Sequence, residues 1–171
     1  MRILLAGQTY RPPTNGAAVF MINLAEGLAK AGHAVTALAP SRRWSSLSEQ
    51  HAGVRLLGMR AVRLPLFEPP VRITLAPRRG IATAVRGTRP QVVHLFDHYP
   101  LSRAALSVAL EEGVPVLASN LFLPGNMIPP ALPPGLVRKL LEQVLWGAVR
   151  AVMDRVALVI VPTGTAAAIL Q

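Results

Sequence analysis

Residues 2–40 read RILLAGQTYRPPTNGAAVFMINLAEGLAKAGHAVTALAP, which indicates a β-loop-α-β unit. Arg2–Ala6 is a short apolar run, as expected of a buried strand. After a polar, proline-containing loop, apolar residues recur every three or four positions. This spacing predicts an amphipathic helix, with Asn15 placed to cap its start and Gly32 placed to end it. His33–Ala39 then predicts a second strand.

The same alternation of strand and helix continues to the end of the chain. Further strands are predicted at Val54–Met59, Gln91–Phe96, Pro115–Ser119 and Ala157–Val161, and helices at Leu101–Glu112, at about Gly135 to Asp154 and from Thr163 onward. Strands that alternate with helices predict an α/β fold with a doubly wound, mostly parallel, Rossmann-like sheet. Two proline-rich regions, Leu64–Pro90 and Pro124–Pro134, are predicted to be surface loops with short helical pieces.

Length and composition narrow the class of protein. With 171 residues, the chain is expected to form one domain, residues 1–171, and its sequence stops inside a predicted helix, so we expect more protein to follow. The absence of cysteine excludes disulfides and thiolate chemistry, and four scattered histidines predict no metal site. No apolar run is long enough to cross a bilayer, and the start does not resemble a signal peptide, so we expect a cytoplasmic protein.

The positive charge is concentrated in one part of the sequence. The net charge is +10, and 16 of the 18 basic residues are arginine. Ten of these arginines lie between Arg42 and Arg89, where only two acidic residues occur. Arginine suits phosphate oxygens, which points to a phosphate-bearing small molecule, anionic lipid headgroups or nucleic acid, and a merely solvated surface is equally compatible. The candidate contacts with an anionic surface are Arg42, Arg43, Arg78 and Arg79.

The helix predicted from about Gly135 to Asp154 carries a second group of cations. Arg138, Lys139 and Arg150 alternate there with large apolar residues. One interpretation is a basic amphipathic helix lying on a membrane surface. The other is an ordinary helix that packs one face on the sheet and turns its cations to solvent.

Ligands of open α/β sheets bind outside the carboxyl ends of the strands, so the loops that follow the strands are the place to look for a site. Asn15 and Gly16 begin a helix, where N–H groups and the helix dipole favour a phosphate, although a plain helix cap has the same residues. His98 follows a strand and is the better candidate for a catalytic histidine, whereas His94 lies within that strand and is expected to be a buried, hydrogen-bonded residue. No GxGxxG is present, which disfavours a nicotinamide cofactor even though Arg42 and Arg43 would suit a 2′-phosphate.

An ordered series of short motifs resembles the family-4 retaining glycosyltransferases, which have two Rossmann-like domains. The matching motifs extend over essentially the whole chain: Thr9-Tyr10, Pro12 and Asn15-Gly16; Leu24-Ala25-Glu26-Gly27-Leu28; Gly32-His33-Ala34-Val35-Thr36; Pro90-Gln91-Val92-Val93-His94; Asp97-His98-Tyr99-Pro100-Leu101; Gly113-Val114-Pro115-Val116; and Pro162-Thr163. The resemblance implies the amino-terminal, acceptor-binding half of a GT-B enzyme, without the carboxyl-terminal half that holds most of the nucleotide-sugar.

The resemblance also implies roles for individual residues. The loop with Asn15 and Gly16 would approach the donor diphosphate, and His98 would touch the donor sugar. Asn120 and Asn126 would contribute to binding of the substrate or of the donor phosphate. Transfer would retain the anomeric configuration with no cofactor and no metal, and this chain alone would be inactive. The expected partners are a nucleotide-sugar, an acceptor and the missing half.

One segment departs from the family pattern. Ser119–Asn126 has Leu121 where similar enzymes have histidine and Gly125 where they have glutamate, so either the acceptor differs or activity is lost. The alternative function is a non-catalytic Rossmann-like module that binds a phosphate ligand, an anionic membrane or a protein. Nucleic acid is a disfavoured partner, and any membrane contact is expected to be peripheral, at the inner face.

Overall fold

The structure is a computed structural model that describes residues 1–41, 47–64, 71–75, 78–121, 128, 134–164 and 167–168. Its strands are β1 (Arg2–Ala6), β2 (Ala34–Pro40), β3 (Leu47–His51), β4 (Val54–Met59), β5 (Ala61–Leu64), β6 (Val71–Thr74), β7 (Val92–Leu95), β8 (Val116–Ser119) and β9 (Leu158–Ile160). Its helices are α1 (Gly16–Lys30), α2 (Arg78–Thr88), α3 (Pro100–Glu111) and α4 (Leu136–Met153).

Seven strands form one sheet in the order β3-β4-β2-β1-β7-β8-β9. All neighbours in it are parallel except β3, which pairs antiparallel with β4. The chain moves outward from β1 in one direction and then returns to continue from β7 in the other. The prediction of a doubly wound, mostly parallel, Rossmann-like sheet is therefore confirmed, and the switch in strand order lies between β1 and β7.

Alternation along β1 assigns the two faces of the sheet to different helices. Leu4 and Ala6 belong to an apolar cluster that includes buried residues of α2, α3 and the end of α4. Ile3 and Leu5 point to the other face and pack with Met21 and other residues of α1. Successive side chains of a strand point to opposite faces, so these four residues place α1 on one side and α2, α3 and α4 on the other.

For Leu64–Pro90, the prediction of surface loops with short helical pieces omits the strand β6 and understates the length and burial of the helix. The region contains the strand β6 and an eleven-residue helix, α2. Ile81, Ala82 and Val85 are buried and pack against the sheet, so one face of α2 belongs to the core. These three residues form a narrow apolar stripe among arginines, glycines and threonines. The sequence therefore shows little of the three- to four-residue apolar spacing that predicts a helix.

The strand β3 and the hairpin formed by β5 and β6 also escaped prediction. The strand β3 has the polar sequence LSEQH, and it pairs with β4 through backbone hydrogen bonds. The strands β5 and β6 form a separate antiparallel hairpin whose register pairs Ala61 with Thr74. Because backbone hydrogen bonds hold such strands together, their side chains need not alternate between apolar and polar.

The second interpretation of α4 holds for only half of the helix. Near its end, Val149, Val152 and Met153 are buried against the sheet. Toward its start the outward face is apolar, since Leu136, Leu140 and Val144 are 73%, 51% and 68% exposed. Large side chains that recur every four residues on the outer side form a continuous apolar stripe.

The last strand is also apolar on its exposed side. β9 lies at an edge of the sheet as far as the described residues extend, and Leu158 and Ile160 are exposed there.

Several predictions fall outside the described residues. They concern Arg42, Arg43, Gly125 and Asn126, and also the Pro124–Pro134 loop apart from Ile128 and Pro134. The helix predicted from Thr163 is described only in part. None of the helices in the described ranges has the length and apolar composition that crossing a bilayer requires.

Candidate functional site

The Asp97 carboxylate joins the loops that follow the two central strands. Its Oδ2 accepts a hydrogen bond from the Gln8 backbone N–H in the loop after β1. Its Oδ1 accepts from the Tyr99 N–H at 3.0 Å and from the Ser102 hydroxyl at 2.7 Å, the latter on α3. Burial raises the pKa of Asp97, whereas these hydrogen bonds lower it. The carboxylate thus fixes the crevice at the point where the strand order reverses.

Close packing at Gly7 keeps the same two loops together. A Cβ atom built there would lie 3.0 Å from the Met21 sulfur, 3.3 Å from the Phe96 Cβ and 3.4 Å from the Asp97 Oδ2. The Gly7 N–H also donates to the Leu38 carbonyl at 3.1 Å. Only a residue without a side chain fits here without displacing a neighbour.

Asn15 and Gly16 lie at the start of α1, at the same carboxyl edge of the sheet. The Asn15 Oδ1 accepts from the Ala18 N–H at 2.8 Å, so Asn15 caps the helix as predicted. Gly16 has open space around it, because a Cβ there would meet nothing within 4 Å. The first turn of α1 has no acidic residue to offset the positive end of the helix dipole. Packing therefore does not explain the glycine.

His98 follows β7, as predicted, and the residue is 95% buried. Its ring stacks on the Tyr99 ring with centroids 4.8 Å apart, and its carbonyl accepts from the Arg103 Nε at 2.9 Å. Burial, and secondly the positive charge of Arg103, lower the pKa of His98. The imidazole is consequently neutral at pH 7, so it can make hydrogen bonds but adds no positive charge.

His94 is the buried, hydrogen-bonded histidine that the sequence suggested. Its Nε2 lies 2.8 Å from the Ser119 hydroxyl, and its ring stacks on Phe96 with centroids 4.5 Å apart. Burial lowers the pKa of His94 to about 4. Its contacts are those of a neutral core residue.

Asn120 follows β8, next to β7, so it shares the carboxyl edge with His98. It is buried, and its backbone N–H donates to the Ile160 carbonyl at 2.8 Å. Leu121, the departure from the family pattern, is partly buried against the apolar cluster on the α1 side. This leucine has a packing role in place of a polar one.

The predicted arginines that the structure describes lie on α2. Arg78 forms an ion pair with Glu111 of α3, and Arg79 is exposed. Exposed pairs of this kind contribute little to stability. In the described ranges, no three histidine or acidic side chains are grouped so as to hold a metal ion.

Sequence reasoning missed Gln8 and Asp97 as site residues. Their contact joins positions far apart in the chain, and no local motif marks such a pair. One signal was available, because Asp97 is the only acidic residue in the loop that follows the strong central strand β7. An acid at that edge is worth testing in any sheet of this type.

Comparison with known protein families gives a match over most of the chain. The profile of Glycosyltransferase Family 4 matches residues 14–171, which is nearly the whole chain. The chain belongs to Glycosyltransferase Family 4. The resemblance noted from the short motifs is thereby confirmed.

Several curated relatives have names that state an activity. A GDP-mannose-dependent alpha-mannosyltransferase of Corynebacterium glutamicum is 24% identical over 120 residues, which are 69% of this chain and 28% of the relative. One of the same name from Mycobacterium tuberculosis is 29% identical over 121 residues, 69% of this chain and 31% of the relative. The alpha-monoglucosyldiacylglycerol synthase of Acholeplasma laidlawii is 27% identical over 115 residues, 67% of this chain and 28% of the relative. The matched part of this family-4 chain thus spans about three tenths of the length of these relatives.

Replacing Gly7 should destabilise the family-4 domain, whereas replacing Gly16 should not. Gly7→Ala places a methyl group against Met21, Phe96 and Asp97, which must shift slightly to admit it, so we expect a cost of about 1 kcal/mol, at the low end for overpacking. Gly16→Ala meets no neighbour, so the free energy of unfolding should stay within about 0.5 kcal/mol of wild type or rise. Urea unfolding of both variants measures the difference, and equal stability would show that the close approach at Gly7 is relaxed in solution.

His94 should make the stability of the domain depend on pH. The unfolded pKa of histidine is about 6.5 and the folded value is about 4, so the unfolded chain binds more protons between these values. The free energy of unfolding should therefore fall as pH drops from about 6.5 to 4, by about 3 kcal/mol in total. His94→Gln should remove this part of the slope, and His51→Gln, at an exposed histidine, should keep it. The same slope in wild type and His94→Gln would contradict the assignment.

Proposed function

We propose that this chain is the acceptor-binding half of a retaining glycosyltransferase, which moves a sugar from a nucleotide-sugar donor to an acceptor. One observation carries the proposal: a member of Glycosyltransferase Family 4 has a crevice at its strand-order switch, held by Asp97 and flanked by the start of α1 and by His98. Open α/β sheets bind their ligands at this place.

The start of α1 is the proposed contact with the donor diphosphate. Backbone N–H groups and the helix dipole favour an anion there, and the first turn has no acid to compete. The open space around Gly16 lets a phosphate approach the backbone closely. Asn15, which caps the helix, holds this N-terminus in place.

His98 is the proposed contact with the donor sugar. Its lowered pKa makes it a neutral hydrogen-bonding group at pH 7, which suits a sugar hydroxyl. Charge that develops on the leaving diphosphate would be met by the loop amides and the helix dipole of α1, an electrostatic form of catalysis. Asn120, on the neighbouring strand end, would complete the polar edge.

The rest of the donor site would lie in a second half of the enzyme. The relatives are about three times as long as the segment that matches them, which leaves room for such a half. We therefore expect the 171-residue chain alone to be inactive, since one side of a cleft cannot enclose and orient the two substrates. GDP-mannose, the donor of two relatives according to their names, is the first donor to test.

Besides the donor and the acceptor, an anionic membrane surface is the third proposed partner, bound peripherally. The outward stripe of α4, made of Leu136, Leu140 and Val144, is exposed and apolar. Lys139 and Arg150 fall along one margin of this stripe on a helix of 3.6 residues per turn. Apolar residues beside cations match the interface between acyl chains and anionic headgroups.

Substituting Gly16 or His98 should lower turnover without unfolding the complete enzyme. The Gly16→Val side chain would obstruct the diphosphate, so the KM for GDP-mannose should rise at least tenfold. His98→Ala should lower kcat by about 100–1,000-fold, the scale for one lost hydrogen-bond donor to a transition state. The 171-residue chain alone is the negative control and should show no turnover.

Gly27→Val is the matched control for Gly16→Val, because Gly27 lies on the same helix with the same open space but away from the carboxyl edge. It should keep full activity. Melting temperatures separate folding from function. Wild-type turnover in folded Gly16→Val and His98→Ala would remove both residues from the site, and turnover by the isolated chain would refute the two-half arrangement.

Binding to vesicles tests the membrane partner. Wild-type protein should bind phosphatidylglycerol vesicles more tightly than neutral ones and should dissociate as salt increases. Leu140→Glu together with Val144→Glu should reduce binding at least tenfold, because two exposed apolar side chains are removed from the contact. Leu110→Glu, at an exposed leucine of α3, should not reduce it. Equal binding to neutral vesicles would contradict the proposal, and tighter binding to duplex DNA would favour nucleic acid.

A further inference from the structure

The β5–β6 hairpin carries two arginines on the face that holds its buried pair; Arg63 is exposed and Arg72 is partly buried. Ala61 and Thr74 pair across the hairpin, and both are buried. Arg63 and Arg72 are the pair two positions further along, directly opposite each other. Because side chains two apart in a strand share a face, the two arginines lie on the same side as the buried pair.

Two opposed arginines are unfavourable without an anion between them. Directly opposite residues of antiparallel strands have Cβ atoms about 5 Å apart, where like charges destabilise the pair. Among the described residues, no acidic side chain forms an ion pair with Arg63 or Arg72. Between Glu49 and Asp97 the sequence has one acid, Glu68, which lies outside the described residues. The described part of the chain thus supplies no acidic side chain to neutralise these two arginines.

Two buried polar atoms beside the arginines have no hydrogen-bond partner in the described structure. The Gln8 side chain reaches the hairpin, where its Nε2 donates to the Arg72 carbonyl, while its Oε1 has no partner. The Thr74 hydroxyl, on the same face as Arg72, has none either. The two residues are 97% and 93% buried, so each unpaired atom is costly unless a ligand satisfies it.

This cluster adjoins the crevice but is separate from the proposed donor contact. Gln8 links the two, because its backbone N–H donates to Asp97 in the crevice. The strand β6 contacts β2 and α3, and α3 packs on the opposite face of the sheet from α1. The donor diphosphate is assigned to α1, which leaves the cluster to the other substrate.

We propose that Gln8, Arg63, Arg72 and Thr74 bind the phosphate group of a phosphorylated, hydroxyl-bearing acceptor. Two guanidinium groups suit a phosphate dianion, and the Thr74 hydroxyl can donate to a third oxygen. The Gln8 Oε1, an acceptor, suits a hydroxyl of the same molecule. The inference rests on the proposed function, since it names the acceptor class of that enzyme. The phosphate ester is either soluble or the headgroup of a lipid.

Binding of a soluble probe tests the site without any transfer reaction. In the complete polypeptide, calorimetry should show that glucose 6-phosphate binds and that glucose binds at least tenfold more weakly. Arg63→Gln and Arg72→Gln should each weaken glucose 6-phosphate binding at least tenfold, and Thr74→Val about threefold. Arg155→Gln, an equal change of charge at an exposed position after α4, should leave it unchanged.

The same variants distinguish a binding site from a structural contact. Relief of like-charge repulsion means that Arg63→Gln should not lower the melting temperature without ligand, although it should lose the rise that glucose 6-phosphate causes in wild type. If the arginine variants have a lower melting temperature than wild type without ligand, the arginines stabilise the fold and the proposal is overturned. An equal decrease in Glu68→Gln would identify an internal ion pair as the cause. If neither glucose 6-phosphate affinity nor binding to phosphatidylglycerol vesicles changes in the two arginine variants, the proposal is also overturned.

Two further experiments show whether the bound phosphate belongs to the donor, to a soluble acceptor or to a lipid acceptor. Binding of GDP should be unaffected by Arg63→Gln with Arg72→Gln, and loss of GDP binding would assign the cluster to the donor instead. If phosphatidylglycerol vesicles, but not glucose 6-phosphate, depend on the two arginines, the acceptor is a lipid; the reverse result identifies a soluble ester. Because these measurements need no turnover, an inactive enzyme that still shows them would refute the transfer function alone.

Discussion

Asp97 accepts hydrogen bonds from the loop after β1, from its own loop and from α3, and the geometry of the whole carboxyl edge follows from these bonds. The two loops can meet only because Gly7 has no side chain to separate them. A buried carboxylate with three donors is worth more than its separate contacts suggest, since removing it would leave buried N–H and O–H groups unsatisfied. The proposed donor contact, the buried His98 and the Gln8 side chain are all placed relative to this junction.

The elements that the sequence predicted correctly are those in which buried positions are apolar, so that the sequence pattern reflects burial. Strands β1, β2 and β7 are largely buried, so their sequences are mostly apolar, and α1 and α3 each bury an apolar face and are followed by a glycine. The strand β3 and the β5–β6 hairpin depend on backbone pairing, which leaves no such period. The helix α2 buries only a narrow stripe in an arginine-rich segment, so its composition obscured its period.

The sequence predicted which loops form the site, but not which side chains in those loops contact one another. Topology alone placed Asn15, Gly16, His98 and Asn120 at one edge, because the carboxyl ends of parallel strands share it. The burial of His98 and the packing of Leu121 depend on neighbours contributed by distant parts of the chain. The Gln8 contact with Asp97 and the opposed arginines depend on register, which a single sequence does not reveal.

The two edges of the sheet differ in chemistry. At one edge, β3 presents polar side chains such as Glu49 and His51, which discourage the addition of another strand. At the other, β9 presents Leu158 and Ile160, and its short length is the main restraint on strand addition. Self-association of the domain prepared by itself would consequently be directional, through β9 rather than β3. An engineer who wanted it as a stand-alone scaffold would replace Leu158 and Ile160 with lysine or glutamate before changing the core.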